Sequence, residues 1–256
     1  ILIPIYNDWQ SVTKLLDEID NLPISPEFLI SVIIVNDASN HDRQNEDKNL
    51  ENIQSIKILN IKTNQGHARC IATGLKYIYE KEEFDYVIPM DGDGEDRPEE
   101  IGDFLNQIKN ANERPIVGER IKRSENFVFK ICYQLHKLIT FTFTGESIKF
   151  GNYSCLSKTT VEKMINEKAT WNSFSGALKK VENNLISIPS RGNRYFGPSK
   201  MSFYNLIKHS LSIISVFRKT FLIRSALFII LYILFIKSNA SVITAIPLIF
   251  LLIAVY

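Results

Sequence analysis

At 256 residues the chain is long enough to bury a sizeable core, as one large domain or two small ones. Its formal charge of +2 hides a division: residues 1–182 carry 22 basic and 28 acidic side chains, whereas residues 183–256 carry eight basic ones and no acidic ones. Positive charge confined to the end that turns hydrophobic argues against a nucleic-acid partner. Cys70, Cys132 and Cys155, odd in number and without a CxxC pair, argue against a zinc knuckle or a disulfide scaffold and are compatible with a reducing cytoplasm. The chain starts at Ile1 inside an apolar run, so the lack of a signal peptide carries little weight.

Ile1 to Tyr6 suits a buried parallel strand opening into a loop at Asn7-Asp8. Val12, Leu15, Leu16 and Ile19 recur at helical spacing. Leu29 to Val35 is a second strand, ending in Asn36-Asp37-Ala38-Ser39, and Ile56 to Ile61 a third. Gly66 to Tyr79 reads as a helix with Ile71, Leu75 and Ile78 on its apolar face, and Tyr86 to Met90 as a fourth strand. An acidic turn follows, then a helix starting near Pro98, where proline and Glu99-Glu100 suit a first turn. The alternation predicts an α/β fold with an open, mostly parallel central sheet flanked by helices, which places ligands beyond the carboxyl ends of its strands. Further on, Phe127 to Phe143 reads as an aromatic-rich helix, with strands at Ile148 to Leu156 and Leu185 to Pro189.

After Pro198 the character changes. Phe203, Leu206, Ile207, Leu211, Ile214 and Phe217 form an apolar stripe beside Lys208, His209 and Arg218, suiting an interfacial helix or one packed on the core. Phe221 to Ile236 and Ala240 to Tyr256 are apolar runs joined by Lys237-Ser238-Asn239; the alternatives are a two-helix membrane hairpin and a pair of buried core helices. The chain ends within the second run, so the hairpin is expected to be truncated. Arg218, Lys219 and Arg224 near the first run put the preceding domain in the cytoplasm by the basic-inside tendency.

The turn Asp91-Gly92-Asp93-Gly94-Glu95-Asp96 holds four carboxylates in six residues, which repel one another unless solvent or a cation intervenes. Its glycines allow a tight path, so Asp91 and Asp93 are placed to share Mg²⁺ or Mn²⁺ with substrate phosphate; an exposed acidic loop is the plainer alternative. Asp8 and Asp37 are candidates to bind a base or ribose, and Asn64-Gln65-Gly66-His67-Ala68-Arg69 starts a helix whose N–H groups and Arg69 favour an anion. Capping of helices and turns is the structural alternative for Asp8, Asp37 and Asn64, and it is their shared rim that favours the binding role. No GxxxxGK[ST] loop, GxGxxG fingerprint or GxSxG elbow occurs, which removes the best support for a P-loop ATPase, a Rossmann dehydrogenase or a serine hydrolase.

Several segments together resemble family 2 glycosyltransferases of the GT-A fold, in the branch of dolichyl- and polyprenyl-phosphate sugar synthases. They are Ile3 to Asp8, Val35 to Ser39, Asn64 to Arg69 with Gly74, Asp91 to Glu99, Gly118-Glu119-Arg120 and Arg194 to Lys200. The resemblance implies a GT-A catalytic domain over residues 1–200, an amphipathic juxtamembrane helix over 201–219 and a transmembrane hairpin over 220–256. It implies nucleotide contacts from Pro4, Tyr6, Asp8 and Asp37, and metal held by Asp91 and Asp93, with Glu95 where relatives often have a metal-contacting glutamine. Arg120, Arg123, Arg194, Ser199 and Lys200 are then expected to face donor or acceptor phosphates, Arg120 beside the reacting groups. The implied activity is inverting transfer of a hexosyl group from a UDP- or GDP-sugar to polyprenyl phosphate; transfer to a hydroxyl of a lipid-linked or surface saccharide is the alternative. Membrane lipid is the implied further partner, nucleic acid is not, and homo-oligomerisation is left open. The chain departs from the family at Lys149-Phe150-Gly151-Asn152-Tyr153-Ser154, where Lys149 and Ser154 replace an acid and an arginine.

Overall fold

The computed structural model describes residues 1–41, 50–120, 127–190, 192–197, 203–236, 241 and 247, with backbone alone for 120, 127–133, 135, 136, 203–207, 209 and 210. Two compact units form, one from Ile1–Ser124 with Ile148–Leu206, the other from Glu125–Ser147 with Ile207–Tyr256.

In the first unit β1 (Leu2–Ile5), β2 (Ile30–Asn36) and β3 (Ile53–Asn60) pair in parallel in that order. β1 and the middle of β2 are continuous apolar runs because both their faces are covered; β3, at the edge, admits Gln54 and Lys57. A second row runs β4 (Tyr86–Val87), β6 (Phe150–Ser157), β5 (Ile116–Arg120), β7 (Ile186–Ser190). β6 is antiparallel to β4 and β5, while β5 and β7 are parallel. The Leu2–Pro89 bridge joins the rows: Leu2 N donates to Ile88 O at 2.9 Å and Met90 N to Leu2 O at 3.0 Å. The segment expected as one strand, Tyr86 to Met90, therefore changes partner midway, from β6 to β1. The sheet is mostly parallel, as the alternation predicts, with β6 reversed.

Period-2 alternation sends neighbouring residues to opposite layers. Ile3, Val32 and Ile34 pack with Val12, Leu15 and Ile19 of α1 (Trp9–Asp20) and with Ile101 and Phe104 of α3 (Ile101–Ala111). Leu2, Ile33 and Val35 pack on the other side against Ile71, Leu75 and Ile78 of α2 (His67–Lys81). The helix expected from Phe127 to Phe143 is α4 (Phe127–Thr144), and the layer also holds residues of two helices not anticipated from sequence: Val161 and Met164 of α5 (Lys158–Asn166) and Phe174 of α6 (Phe174–Val181).

The second unit contains α4, most of α7 (Phe203–Val216) and α8 (Arg218–Ile236). The chain breaks at Phe217, so Arg218 and Lys219 lie on the first turn of α8. Among the described residues α8 is the one helix long and apolar enough to cross a membrane, with a mean hydropathy of 2.0. The expected partner run, 240–256, lies outside the described residues except for 241 and 247.

At the end of α1, Asp20 accepts hydrogen bonds from the backbone N–H groups of Glu51 (2.9 Å), Asn52 (2.8 Å) and Ile53 (2.9 Å), fixing the entry to β3. Desolvation opposes its charge, but the three donors outweigh it and hold the carboxyl below the usual range. The resulting stabilisation is fully present above the ordinary aspartate pKa and is lost as pH falls through the depressed folded value. Asp20→Ala is expected to lower unfolding free energy by roughly 1–2 kcal/mol at neutral pH in urea titrations, with the gap from the parent closing as the pH is lowered through that range.

Candidate active site

The acidic turn leaves the sheet at the buried Met90 and is closed from within: fully buried Asp96 accepts the Asp91 N–H through Oδ2 at 2.8 Å. Of the four carboxylates, Asp96 therefore braces the loop. Gly94, at φ +90°, lies against the ring of Tyr195, and a Cβ there would come within 2.8 Å of it. Asp93 Oδ1 accepts the Glu95 N–H at 3.0 Å. Burial first, then the neighbouring charge of Asp91, push the Asp93 carboxyl above the usual range, against the pull of the Glu95 N–H and Arg194.

Residues 192–197 lie along this turn. Arg194 spans two of its carboxylates, with Nη2 2.8 Å from Asp93 Oδ2 and Nε 2.8 Å from Glu95 Oε1. Tyr195 N donates to Asp93 O at 2.8 Å, and the Tyr195 hydroxyl bonds to Glu18. The approach is close enough that a Cβ on Gly192 would fall 1.8 Å from Glu95 O. Arg194, expected to face phosphate, is thus the counter-ion of Asp93 and Glu95 in this structure.

On the other flank, His67 opens α2 with Nε2 3.1 Å from Asp91 Oδ1 and 2.7 Å from Asn152 Nδ2 of β6; Asn152 Nδ2 is also 3.4 Å from Asp91 Oδ1. Desolvation disfavours the imidazolium, but the charge of Asp91 and the hydrogen bond to it, with Asp96 and Asp93 behind, hold His67 above its ordinary pKa. Nothing local marks Asn152, an asparagine in a strand, as a site residue; only the pairing of β6 beside β4 brings it to the turn.

Asp37 is buried and occupied: Oδ1 takes the Gln65 N–H at 2.7 Å and Oδ2 the Gly66 N–H at 2.8 Å, anchoring the start of α2. Burial, then the nearby Asp37 charge and a hydrogen bond to it, push the Cys70 thiol up to about 12. Asp8 is the N-cap residue of α1 and accepts from Ser11 Oγ at 2.8 Å. Pro4 is buried inside β1, whereas Tyr6 is half exposed at the rim. Asn7 and Ser39 tie the loops after β1 and β2 together, the Asn7 N–H donating to Ser39 Oγ at 2.9 Å. Arg69 is exposed and bonds to Gln65 Oε1 at 2.9 Å. Arg120 ends β5, paired in register with Ser190; its side chain and the whole of Arg123, Ser199 and Lys200 lie outside the described residues.

Among the described residues no group of three or more His, Cys, Asp or Glu side chains is arranged to hold a metal. Asp91 and Asp93 offer hard oxygens from one turn, a partial donor set that fits Mg²⁺ or Mn²⁺ completed by phosphate oxygens and does not amount to an all-protein cage.

Residues 1–174 match the family model for glycosyl transferase family 2. The chain is 25% identical over 222 residues to undecaprenyl-phosphate 4-deoxy-4-formamido-L-arabinose transferase of Proteus mirabilis, covering 81% of this chain and 64% of that protein. It is 28% identical over 140 residues to UDP-N-acetylglucosamine–dolichyl-phosphate N-acetylglucosaminyltransferase of Methanococcus voltae, covering 50% of this chain and 53% of that protein. The chain thus spans about half to two thirds of the length of the curated relatives it matches. In fold it is similar to glucosyl-3-phosphoglycerate synthase from Mycobacterium tuberculosis, solved with Mn²⁺, UDP and phosphoglyceric acid: TM-score 0.61 at 10% identity, covering 86% of this chain and 76% of that one. The α/β architecture is of the GT-A type.

Since Asp37 already holds two backbone donors, Asp37→Ala is expected to lower stability by about 2 kcal/mol in denaturant titrations without any nucleotide present. A melt unchanged from the parent would show that the carboxylate has no structural share.

Proposed function

The chain belongs to glycosyl transferase family 2, and on that premise we propose that it transfers a hexosyl group from a UDP- or GDP-sugar to a polyprenyl phosphate at the cytoplasmic face of a membrane, inverting the anomeric carbon. One observation carries the reading: through the contact of His67 with Asp91, the acidic turn abuts the N-terminus of α2, so a cation site and an anion-favouring helix start are offered to one diphosphate. Asp91 and Asp93 would hold Mg²⁺ or Mn²⁺, whose charge offsets that of the departing nucleoside diphosphate. Tyr6, Asp8 and the Asp37 loop are assigned to the nucleoside; Arg69, Arg120, Arg123, Arg194, Ser199 and Lys200 are assigned to donor or acceptor phosphates. An acceptor phosphate is already anionic and asks for no general base.

Three further features support the membrane setting. The relatives' names include undecaprenyl and dolichyl phosphate. α8 is long and apolar enough to span a bilayer. Arg218, Lys219 and Arg224 lie in its first two turns, the side expected to stay in the cytoplasm.

A second reading, transfer to a hydroxyl of a lipid-linked or surface saccharide, is favoured by β6. Ser154, where the family resemblance leads an arginine to be expected, is fully buried with Oγ bonded to Asn152 O at 3.0 Å, and Lys149 lies 3.7 Å from Glu119. Position 154 therefore presents no charge to an acceptor phosphate.

Incubation of membranes containing the full chain with radiolabelled UDP- and GDP-sugars and polyprenyl phosphate is expected to give an organic-extractable sugar lipid, lost with EDTA and restored by Mn²⁺ or Mg²⁺. Asp93→Ala should lower the rate by about 100-fold or more. Labelled product whose mass is that of an extended glycan would select the second reading, and absence of product from every common donor would overturn both.

A further inference from the structure

Side chains from a helix, a strand and the acidic turn converge on one point. His67 Nε2 lies 3.1 Å from Asp91 Oδ1 and 2.7 Å from Asn152 Nδ2, and Asn152 Nδ2 lies 3.4 Å from Asp91 Oδ1, so the three atoms close a triangle. Hydrogen bonds alone do not satisfy it, because a single imidazole nitrogen either donates or accepts. With a proton, Nε2 serves Asp91 and opposes the Asn152 N–H. Without one, it accepts from Asn152 and turns its lone pair on the carboxylate.

A cation resolves the conflict. In an octahedral ion with ligands at about 2.1 Å, neighbouring donors lie about 3 Å apart, which is the span of this triangle. Half a turn about the last torsion of Asn152 exchanges its amide nitrogen for its oxygen, and an amide oxygen, a carboxylate and a neutral imidazole are all metal ligands. One of the three being an amide, the set is not a triad of His, Cys, Asp and Glu, of which there is none among the described residues.

Each corner is held from behind by a buried side chain. Asp37 takes the N–H groups of Gln65 and Gly66, just ahead of His67, at 2.7 and 2.8 Å. Tyr153, next to Asn152 in β6, is buried and donates its hydroxyl to Arg97 O at 2.6 Å. Asp96 takes the Asp91 N–H. Donors braced in this way keep their spacing before a metal arrives. Asp93, by contrast, is engaged through both oxygens, Oδ1 by the Glu95 N–H and Oδ2 by Arg194. The His67 and Asp91 side chains are 46% and 22% exposed, which leaves the other coordination positions open to phosphate oxygens and water.

We propose that His67 and Asn152 complete, with Asp91, a three-ligand face for the divalent cation, and that the imidazole nitrogen gives the site a preference for Mn²⁺ over Mg²⁺. The proposal rests on the reading of the acidic turn as a cation site. Mg²⁺ is matched to oxygen ligands and gives up water reluctantly, whereas a nitrogen donor suits a transition metal. The start of α2 is then tied to the diphosphate through the metal as well as through its N–H groups.

The test uses the full chain in detergent with Mn²⁺ as the probe, read by pulsed electron paramagnetic resonance. Modulation from a directly bound nitrogen is expected, altered when the chain carries histidine labelled with ¹⁵N in the ring, and lost in His67→Gln while Mn²⁺ stays bound. Displacing Mn²⁺ from the parent should take a several-fold excess of Mg²⁺, and His67→Gln should narrow that preference. Asn152→Ala should weaken Mn²⁺ binding several-fold, whereas Asn152→Asp, which keeps an oxygen there, should retain it. Bound Mn²⁺ without nitrogen modulation, or modulation that persists in His67→Gln, overturns the ligand role of His67 and leaves the acidic turn as the cation site. Asn152→Ala that binds Mn²⁺ as the parent does removes Asn152 from the face. Mn²⁺ bound neither by the chain alone nor with UDP or GDP overturns the cation site and this inference together.

Discussion

Four carboxylates within six residues repel, and the first unit is organised around meeting that repulsion from several directions. Asp96 turns inward and takes the Asp91 N–H, so one charge becomes the brace of the loop that carries the others. Arg194 arrives from the far end of the unit and spans Asp93 and Glu95. His67 and Asn152 stand at Asp91, one from a helix start and one from the reversed strand. Each of these partners comes from a different element, so the turn has this geometry only when α2, β6 and the 192–197 segment are all in place.

The parallel order of β1, β2 and β3 supplies the other half of the site. Strands that run the same way end on the same rim, and the loops after β1 and β2 are cross-braced there by Asn7, Ser39 and Asn36. Asp37 fixes α2 to that rim through two backbone N–H groups. An anion-favouring helix start and a carboxylate turn are thereby brought together by backbone hydrogen bonds, which hold position better than long surface side chains.

Much of this was legible in the residues because it depended on local signals. Continuous apolar runs marked β1 and β2, the 3.6-residue period marked α1 and α2, and a proline followed by acids marked the helix after the turn. β5, with only five residues and a glycine and charges at its end, had no alternation to show. α5 and α6 are nine and eight residues long, too short for the period to stand out. The roles of Asn152 and Arg194 were hidden for a different reason: both contact the acidic turn across 61 and 99 residues of chain, and only the strand order brings them there. Asp37 could be read as a cap or as a ligand-binding group; its cap role is now visible in the two backbone donors it holds.

Arg194 also changes what cation binding means at this site. A divalent ion that takes Asp93 from the guanidinium performs an exchange, so its apparent affinity is the difference between two ionic attachments, and the strength of the displaced one sets the threshold concentration. Such an exchange would free one edge of a planar, five-donor group that stays bonded to Glu95 through Nε at 2.8 Å. Occupancy of Asp93 by a cation and the hold of Arg194 on the turn would therefore be linked quantities, each measurable through the other.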